Sequence, residues 1–170
     1  MTVSAGPEAL VRAELERIAD PEIPAISLVD LGVIGAVDID ADRVRIELLP
    51  TFVGCPAIGV MQEEIRRRIG GLEVAPAVEV VISFDPPWTS ERISEVGRER
   101  LRLSGFAPPP AQATGQPLIG LDELAVLPVA ECPFCGSAST TLENPFGPTL
   151  CRAIYHFTAC RQPFEQFKRI

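Results

Sequence analysis

Residues 44–70 read VRIELLPTFVGCPAIGVMQEEIRRRIG, and their pattern is the strongest indication of the fold in the first half of the chain. Its first five residues alternate between apolar and charged side chains, the period-two pattern of a strand with one buried face. A Pro-rich loop over residues 50–56 follows, and after it apolar residues recur at the spacing of an amphipathic helix that a pair of glycines ends. The stretch predicts a strand, a loop carrying one cysteine, and a helix.

Similar patterns flank this stretch on both sides. Apolar residues at helical or strand spacing are bounded by Pro, Gly or Asp residues that favour turns. The predicted elements are helix 8–18, strand 33–39, strand 44–48, helix 58–69, strand 78–84 and helix 93–103. The first two strands are close enough in sequence to form a hairpin. The order α-β-β-α-β-α predicts a small α+β domain, with helices packed on a short sheet.

A domain boundary is predicted after this part of the chain. Residues 107–117 read APPPAQATGQP, and three consecutive prolines cannot continue a helix, while little in the segment can be buried. The sequence therefore predicts an α+β domain over 1–106, a linker over 107–117 and a C-terminal module over 118–170.

Composition excludes several classes of protein. The chain has 170 residues, of which 46% are hydrophobic and 22% charged, which is typical of a folded protein. A net charge of -8 argues against binding to nucleic-acid phosphates or to an anionic membrane surface. The sequence contains no apolar run of about 20 residues, as a membrane span requires, and no visible signal peptide. We therefore expect a cytoplasmic location.

Histidine usage argues against intrinsic catalysis. His156 is the only histidine, which excludes a di-iron carboxylate bundle with two Glu-x-x-His motifs. The same residue lies in a Cys-rich tail without a good nucleophile nearby, so a Ser-His-Asp triad is not expected. Neither of the common Gly-rich nucleotide-binding motifs occurs. The chain is not expected to be an enzyme on its own.

Cys55 is isolated from the other four cysteines. It directly precedes Pro56, a residue type that favours the first position of a helix, and this predicts Cys55 as the N-cap of the second helix. The free N–H groups and partial positive charge of a helix N-terminus would lower the pKa of the Cys55 thiol. Such a thiolate could ligate iron or act as a nucleophile. The alternative is a buried cysteine that packs as a small apolar side chain.

Several short motifs occur in order along the chain. They are DPEIP (20–24), Ser27, DLG (30–32), PTFVGCPA (50–57), PPWTS (86–90) and GRERLRLSGFAPP (97–109). These motifs resemble those of iron–sulfur assembly proteins of the SufT type. With the Cys-rich tail added, nearly the whole chain resembles the PaaD family of phenylacetate-degradation proteins.

The resemblance implies an accessory role in maturation of the multicomponent phenylacetyl-CoA 1,2-epoxidase. In the family's motifs, Cys55, Asp20 and Glu22 would handle iron or a transient Fe–S cluster, singly or across a homodimer. The implied partners are the oxygenase or reductase subunits of the epoxidase and the Fe–S assembly machinery. Two alternatives are a stoichiometric, non-catalytic subunit of the epoxidase and a zinc-ribbon binding protein, although the net charge argues against nucleic acid as its ligand.

The tail contains a pattern typical of a metal site. Cys132 and Cys135 are separated by two residues and are followed by Gly136, which permits the tight turn of a zinc knuckle. Strands over 140–143 and 152–157 would form a hairpin that ends near Cys160, the third ligand. The pattern predicts a zinc-ribbon-like module, in which the metal compensates for a small core.

The fourth ligand is open at this point. PaaD-like tails have a second C-x-x-C pair, but in this sequence Phe157 stands where the first cysteine of that pair belongs. His156 and Cys151 are the two substitutes, although a strand would point His156 away from the side that residue 157 faces. A degenerate site without metal is a third reading. A smaller alternative is an Fe–S cluster on Cys132, Cys135, Cys151 and Cys160.

Overall fold

A computed structural model describes residues 6–109, 129–157 and 160–168 of the chain. The chain divides into two compact units, with the boundary between Gly97 and Arg98. Within the ranges that the structure describes, no helix has both the length and the apolar character needed to cross a membrane.

The first unit contains a three-stranded sheet and its helices, in the predicted order. The elements are α1 (Pro7–Leu15), β1 (Ile34–Ile39), β2 (Arg43–Leu48), α2 (Ile58–Gly70) and β3 (Ala77–Ile82), and α3 (Glu95–Leu103) runs across the boundary between the units. The strand order is β1-β2-β3. The predicted hairpin is confirmed, because β1 and β2 pair antiparallel.

Strand β2 is central because it pairs with both neighbours. Its partner β3 runs parallel to it, in a register that places Val44 opposite Val78 and Leu48 opposite Ile82. Parallel strands need a crossover connection, and α2 is part of it. The buried face of β2 carries Val44, Ile46 and Leu48, and α2 contributes three buried side chains of its own. The α+β class predicted from the alternating pattern is thus confirmed.

The second unit is built on a four-stranded sheet. Its strands are β4 (Phe106–Ala107), β5 (Thr140–Asn144), β6 (Arg152–Phe157) and β7 (Gln162–Phe167). The sheet order is β4-β7-β6-β5, with β4 parallel to β7 and the other two pairs antiparallel. One face carries a buried cluster of mostly apolar side chains. Its members are Ala107, Ala130, Cys132, Ala153, Tyr155, Phe157 and Phe164.

The sheet of the second unit has two strands that the sequence did not predict. The hairpin of β5 and β6 is present where it was expected, but β7 adds a strand on its other side and β4 pairs with β7. Phe106 and Ala107 therefore belong to the sheet of the tail. The unit boundary also lies earlier than the predicted limit at residue 106. The assignment of 107–117 as a linker stays a prediction, since residues 110–128 lie outside those that the structure describes.

Candidate metal centre and cysteine loop

The turn that carries Cys132 and Cys135, called the first knuckle, forms where the sequence predicts it. The backbone N–H of Gly136 donates to the Cys132 carbonyl oxygen at 2.8 Å, and the N–H of Cys132 donates to the Ser137 carbonyl oxygen at 2.9 Å. Gly136 has φ +72°, in the left-handed region where a residue without Cβ is unstrained. This turn brings the side chains of Cys132 and Cys135 to the same side of the loop.

Cys160 completes a group of three thiols. Any two of the Sγ atoms of Cys132, Cys135 and Cys160 lie within 4.8 Å of one another, and the Sγ atoms of Cys132 and Cys160 are 3.7 Å apart. Two thiolates on a tetrahedral zinc ion, with Zn–S of about 2.3 Å, stand about 3.8 Å apart. Three sulfur donors at this spacing fit a soft divalent metal such as zinc.

The pKa values of Cys132 and Cys135 are shifted in opposite directions. Burial raises the pKa of Cys132, but the backbone N–H groups of Phe134 and Cys135 and the thiols of Cys135 and Cys160 outweigh it, so the pKa of Cys132 is lowered. The N–H of Ser137 lowers the pKa of Cys135, but burial and the neighbouring sulfurs outweigh it, and the net shift is upward. Of Cys132 and Cys135, Cys132 is therefore the thiol that ionises more readily.

Neither proposed fourth ligand joins this group in the part of the chain that the structure describes. His156 follows buried Tyr155 and precedes buried Phe157, so on β6 it faces the other side of the sheet. Cys151 precedes β6 at the end where Arg152 pairs with Phe167, and its Sγ lies 3.1 Å from Thr149 Oγ1. Strand β6 is about 20 Å long at 3.3 Å per residue, and this length separates Cys151 from the end that carries Cys160.

The loop of Cys55 corrects one expectation. The sequence predicted Cys55 as the N-cap of α2, but the helix begins at Ile58 and its N-cap is Ala57. A turn intervenes, in which the N–H of Ile58 donates to the Cys55 carbonyl oxygen at 3.4 Å. Pro56 suits this turn because proline has no backbone N–H that would need a hydrogen-bond acceptor. The Cys55 side chain is half-buried, and its lowered pKa stays a prediction.

Residues 18–27, which include Asp20 and Glu22, form a loop that we call the acidic loop. Hydrogen bonds within the loop stabilise it. Asp20 is buried, and its Oδ1 accepts hydrogen bonds from the N–H groups of Glu22 at 2.9 Å and Ile23 at 2.8 Å. An isolated antiparallel bridge between Ala19 and Ser27 closes the loop at its base. Among the described residues, Asp20, Glu22 and Cys55 do not form a group of three closely spaced donor atoms. Their shared role in binding iron stays a prediction.

A groove of about 440 Å³ lies between the acidic loop and α2, the helix that follows Cys55. The loop contributes Ile18, Ala19 and Pro21 to one wall, and the first half of α2 contributes the other. The helix residues in it are Gly59, Val60, Met61, Glu63 and Glu64. The loop of Asp20 thus borders the groove, and Cys55 precedes the helix that forms the other wall, although neither residue lines it.

Sequence reasoning missed an apolar surface beside Cys55. Phe52 is 42% exposed and Val53 is 74% exposed, although both are large apolar residues. Two adjacent apolar residues in a loop rich in Pro and Gly were the available signal, because such a loop has little core to contribute to. Exposed apolar side chains next to a thiol are suited to contact another protein.

Comparison with known proteins agrees with this division of the chain. A model of the "Iron-sulfur cluster assembly protein" family matches residues 8–82, and a model of the "PaaD zinc beta ribbon domain" matches residues 121–168. The fold and the cysteine sites therefore define the class as an iron–sulfur-assembly-type domain joined to a zinc ribbon.

One relative matches along both parts. It is a protein of Escherichia coli (strain K12) that is named as a subunit of a "Putative 1,2-phenylacetyl-CoA epoxidase". The two are 37% identical over 158 residues, which are 93% of this chain and 90% of that protein. The chain belongs to the PaaD family, to which this similarity assigns it.

Other similarities concern the first part alone. The "Fe-S protein maturation auxiliary factor YitW" of Bacillus subtilis (strain 168) is 30% identical over 94 residues, covering 55% of this chain and 91% of that protein. A solved structure of "Domain of Unknown Function DUF59 from Bacillus anthracis" superposes with a TM-score of 0.52 at 28% identity. It covers 56% of this chain and 91% of that one.

Proposed function

We propose that the chain is an accessory protein for maturation of a phenylacetyl-CoA epoxidase, to which it delivers iron or an Fe–S cluster. The observation that carries the proposal is the 37% identity to the E. coli protein along both units, together with the similarity of the first unit to an Fe–S maturation factor. The clients of this activity are the oxygenase or reductase subunits of the epoxidase, and the donors are the Fe–S assembly machinery.

Cys55 is the cargo-binding residue in this proposal. Its side chain is partly exposed, the neighbouring Phe52 and Val53 offer an apolar contact surface, and no other cysteine occurs in residues 1–97. An Fe–S cluster usually takes four thiolates, so one cysteine cannot hold it alone. The remaining ligands come from Asp20 or Glu22, from a second copy in a homodimer, or from the client.

The tail is a structural metal module that recognises the client. Support comes from its three clustered thiols and its match to a zinc ribbon family. Zinc is the metal we propose, because thiolate donors at tetrahedral spacing favour it over the harder divalent ions. All five cysteines are free, which suits a reducing compartment such as the cytoplasm.

A second function is favoured by one observation. The E. coli relative is named as a subunit of the epoxidase, so this chain could instead be a stoichiometric, non-catalytic component of the active complex. The two functions differ in when the chain is needed. A maturation factor acts before the enzyme is complete, whereas a subunit must be present during turnover.

Iron analysis of the epoxidase separates the two. The epoxidase is purified from cells with and without this chain, and its iron content and activity are measured before and after adding the purified chain. Our proposal expects iron-poor, inactive enzyme from the deficient cells, and active enzyme free of this chain from the others. Iron-replete enzyme that becomes active only while the chain is bound would show the subunit role instead.

A further inference from the structure

The two ends of the metal site share one backbone geometry. At the first knuckle, the N–H of Gly136 donates to the carbonyl oxygen of Cys132 at 2.8 Å. At the second, the N–H of Arg161 donates to the carbonyl oxygen of Phe157 at 2.9 Å, four residues apart as before. The donor residue has positive φ in both turns, +72° for Gly136 and +55° for Arg161.

The second turn therefore shares its closing hydrogen bond and its left-handed residue with the first knuckle, but it has one ligand fewer. Its Cys160 occupies the place that Cys135 has in the first turn, three residues after the hydrogen-bonded carbonyl. Phe157 occupies the place of Cys132, but a phenyl ring has no donor atom. Few non-glycine residues adopt φ near +55°, and Arg161 adopts it although Phe157 supplies no metal ligand.

No other cysteine or histidine is placed to substitute. All five cysteines and the single histidine lie in the ranges that the structure describes. Within those ranges, only Cys132, Cys135 and Cys160 come together. His156 faces the opposite side of β6, and Cys151 lies at its far end.

We infer that the tail binds its metal through three thiolates, Cys132, Cys135 and Cys160, and leaves a fourth coordination position for an exchangeable thiolate from outside the chain. Zinc with three protein ligands and one open position is a recognised arrangement, and a sulfur-rich site favours a soft anionic donor as the fourth. The external thiol binds as its thiolate and releases its proton to solvent, with no change of oxidation state.

An external thiolate can approach the metal site beside Cys135 and Cys160. Cys135 is exposed and Cys160 is half-buried, whereas Cys132 is buried with the apolar cluster. Two of the three ligands thus reach the protein surface. The inference concerns the tail alone and stands whether or not Cys55 handles iron.

The test uses the full chain loaded with Co²⁺ in place of zinc, because thiolate ligands give cobalt an intense charge-transfer absorption. Titration with 2-mercaptoethanol as the probe should raise this absorption in the parent protein by about one third, from three thiolates to four. In Phe157→Cys the absorption should already be at the higher value and should not respond. Phe157→Ala, which removes the ring without adding a donor, should respond as the parent does.

Two results would overturn the inference. One is a parent spectrum that equals that of Phe157→Cys before any thiol is added, which would mean that a fourth protein thiolate is already bound. Sedimentation and the spectrum of Cys55→Ala would show whether that thiolate comes from a second copy. The other is a parent protein that takes up no cobalt or zinc while Phe157→Cys does, which would mean that three thiolates are not sufficient.

Discussion

Arg92 holds Gly32 from two sides. The Arg92 carbonyl oxygen occupies the space where a Cβ on residue 32 would stand, and the Arg92 guanidinium donates a hydrogen bond to the Gly32 carbonyl oxygen at 2.8 Å. Nearby, the indole N–H of Trp88 donates to the Leu31 carbonyl oxygen at 3.1 Å. The Trp88 hydrogen bond joins the segments DLG and PPWTS, and Arg92, two residues after PPWTS, adds further contacts to DLG, so these motif residues serve the fold of the first unit.

Gly32→Ala is expected to destabilise the first unit strongly. Gly32 has φ +74°, which costs a residue with a Cβ about 1–3 kcal/mol, and the overlap with Arg92 adds to this. Chemical denaturation should show a loss of at least about 2 kcal/mol. Gly59→Ala is the matched control, because α2 has open space there and alanine favours a helix by about 0.5–1 kcal/mol. Equal denaturation midpoints for the two variants would contradict this role of Gly32.

Much of the first unit could be predicted from the sequence. The alternation over β2 and the helical spacing over α2 are strong local signals, and the structure follows both. The short strand β4 and the whole of β7 could not be predicted in the same way. Two residues in β4 carry no periodicity, and β7 begins with exposed Gln162 and Pro163, so only its pairing with β6 defines it.

An ion pair between a buried arginine and a partly exposed glutamate holds β6 to β7. Arg152 is 7% exposed, and its guanidinium donates to Glu165 Oε2 at 2.9 Å and to Thr149 Oγ1 at 2.8 Å, while the Glu165 side chain is 28% exposed. Removing the carboxylate takes this counter-charge away from a buried cation, which is costly. Glu165→Gln should therefore lower the free energy of unfolding of the second unit by about 1–3 kcal/mol, measured by denaturation of the metal-loaded protein.

Glu99→Gln provides the control for this prediction. Glu99 pairs with Arg102 at the surface, where the two side chains are 53% and 49% exposed. Exposed pairs of this kind contribute between 0 and about 1 kcal/mol. If Glu165→Gln proved as mild as Glu99→Gln, the Arg152 pair would have no special part in the stability of the sheet.

Removal of single ligands should affect metal content unequally. Cys132→Ala should lose most of its zinc, because two remaining thiolates do not hold the ion tightly. Cys151→Ala and His156→Ala should retain it, since neither side chain reaches the thiol cluster. Zinc is measured by a chromogenic chelator on protein purified under reducing conditions. Retention by Cys132→Ala, or loss in either of the other two, would refute the three-thiolate assignment.

Only some of the metal ligands could be predicted from their spacing in the sequence. The pair Cys132 and Cys135 forms a local turn, so its spacing alone predicted it. The choice between His156 and Cys151 depended on strand direction and hairpin length, which only the pairing of β6 with β7 fixes. The hydrogen bond from Arg161 to Phe157 could not be predicted, because arginine does not indicate a left-handed conformation as glycine does.

Cys55→Ala should leave the fold intact. The side chain is half-buried in a surface loop, and truncating it removes little packing, so the melting temperature of the first unit should change by less than a few degrees. Thermal denaturation of the purified variant beside the parent checks this. A large loss of stability would indicate the alternative, that Cys55 is a core residue that packs as a small apolar side chain.

In the proposed function, the Cys55 thiol is needed to supply iron to the epoxidase. The most direct measurement is the iron content of epoxidase purified from cells whose only copy of this chain carries Cys55→Ala, with Cys151→Ala as the thiol-removing control. The proposal predicts iron-poor, inactive epoxidase from the Cys55→Ala cells and iron-replete, active enzyme from the control. Fully iron-loaded, active epoxidase from the Cys55→Ala cells would contradict it.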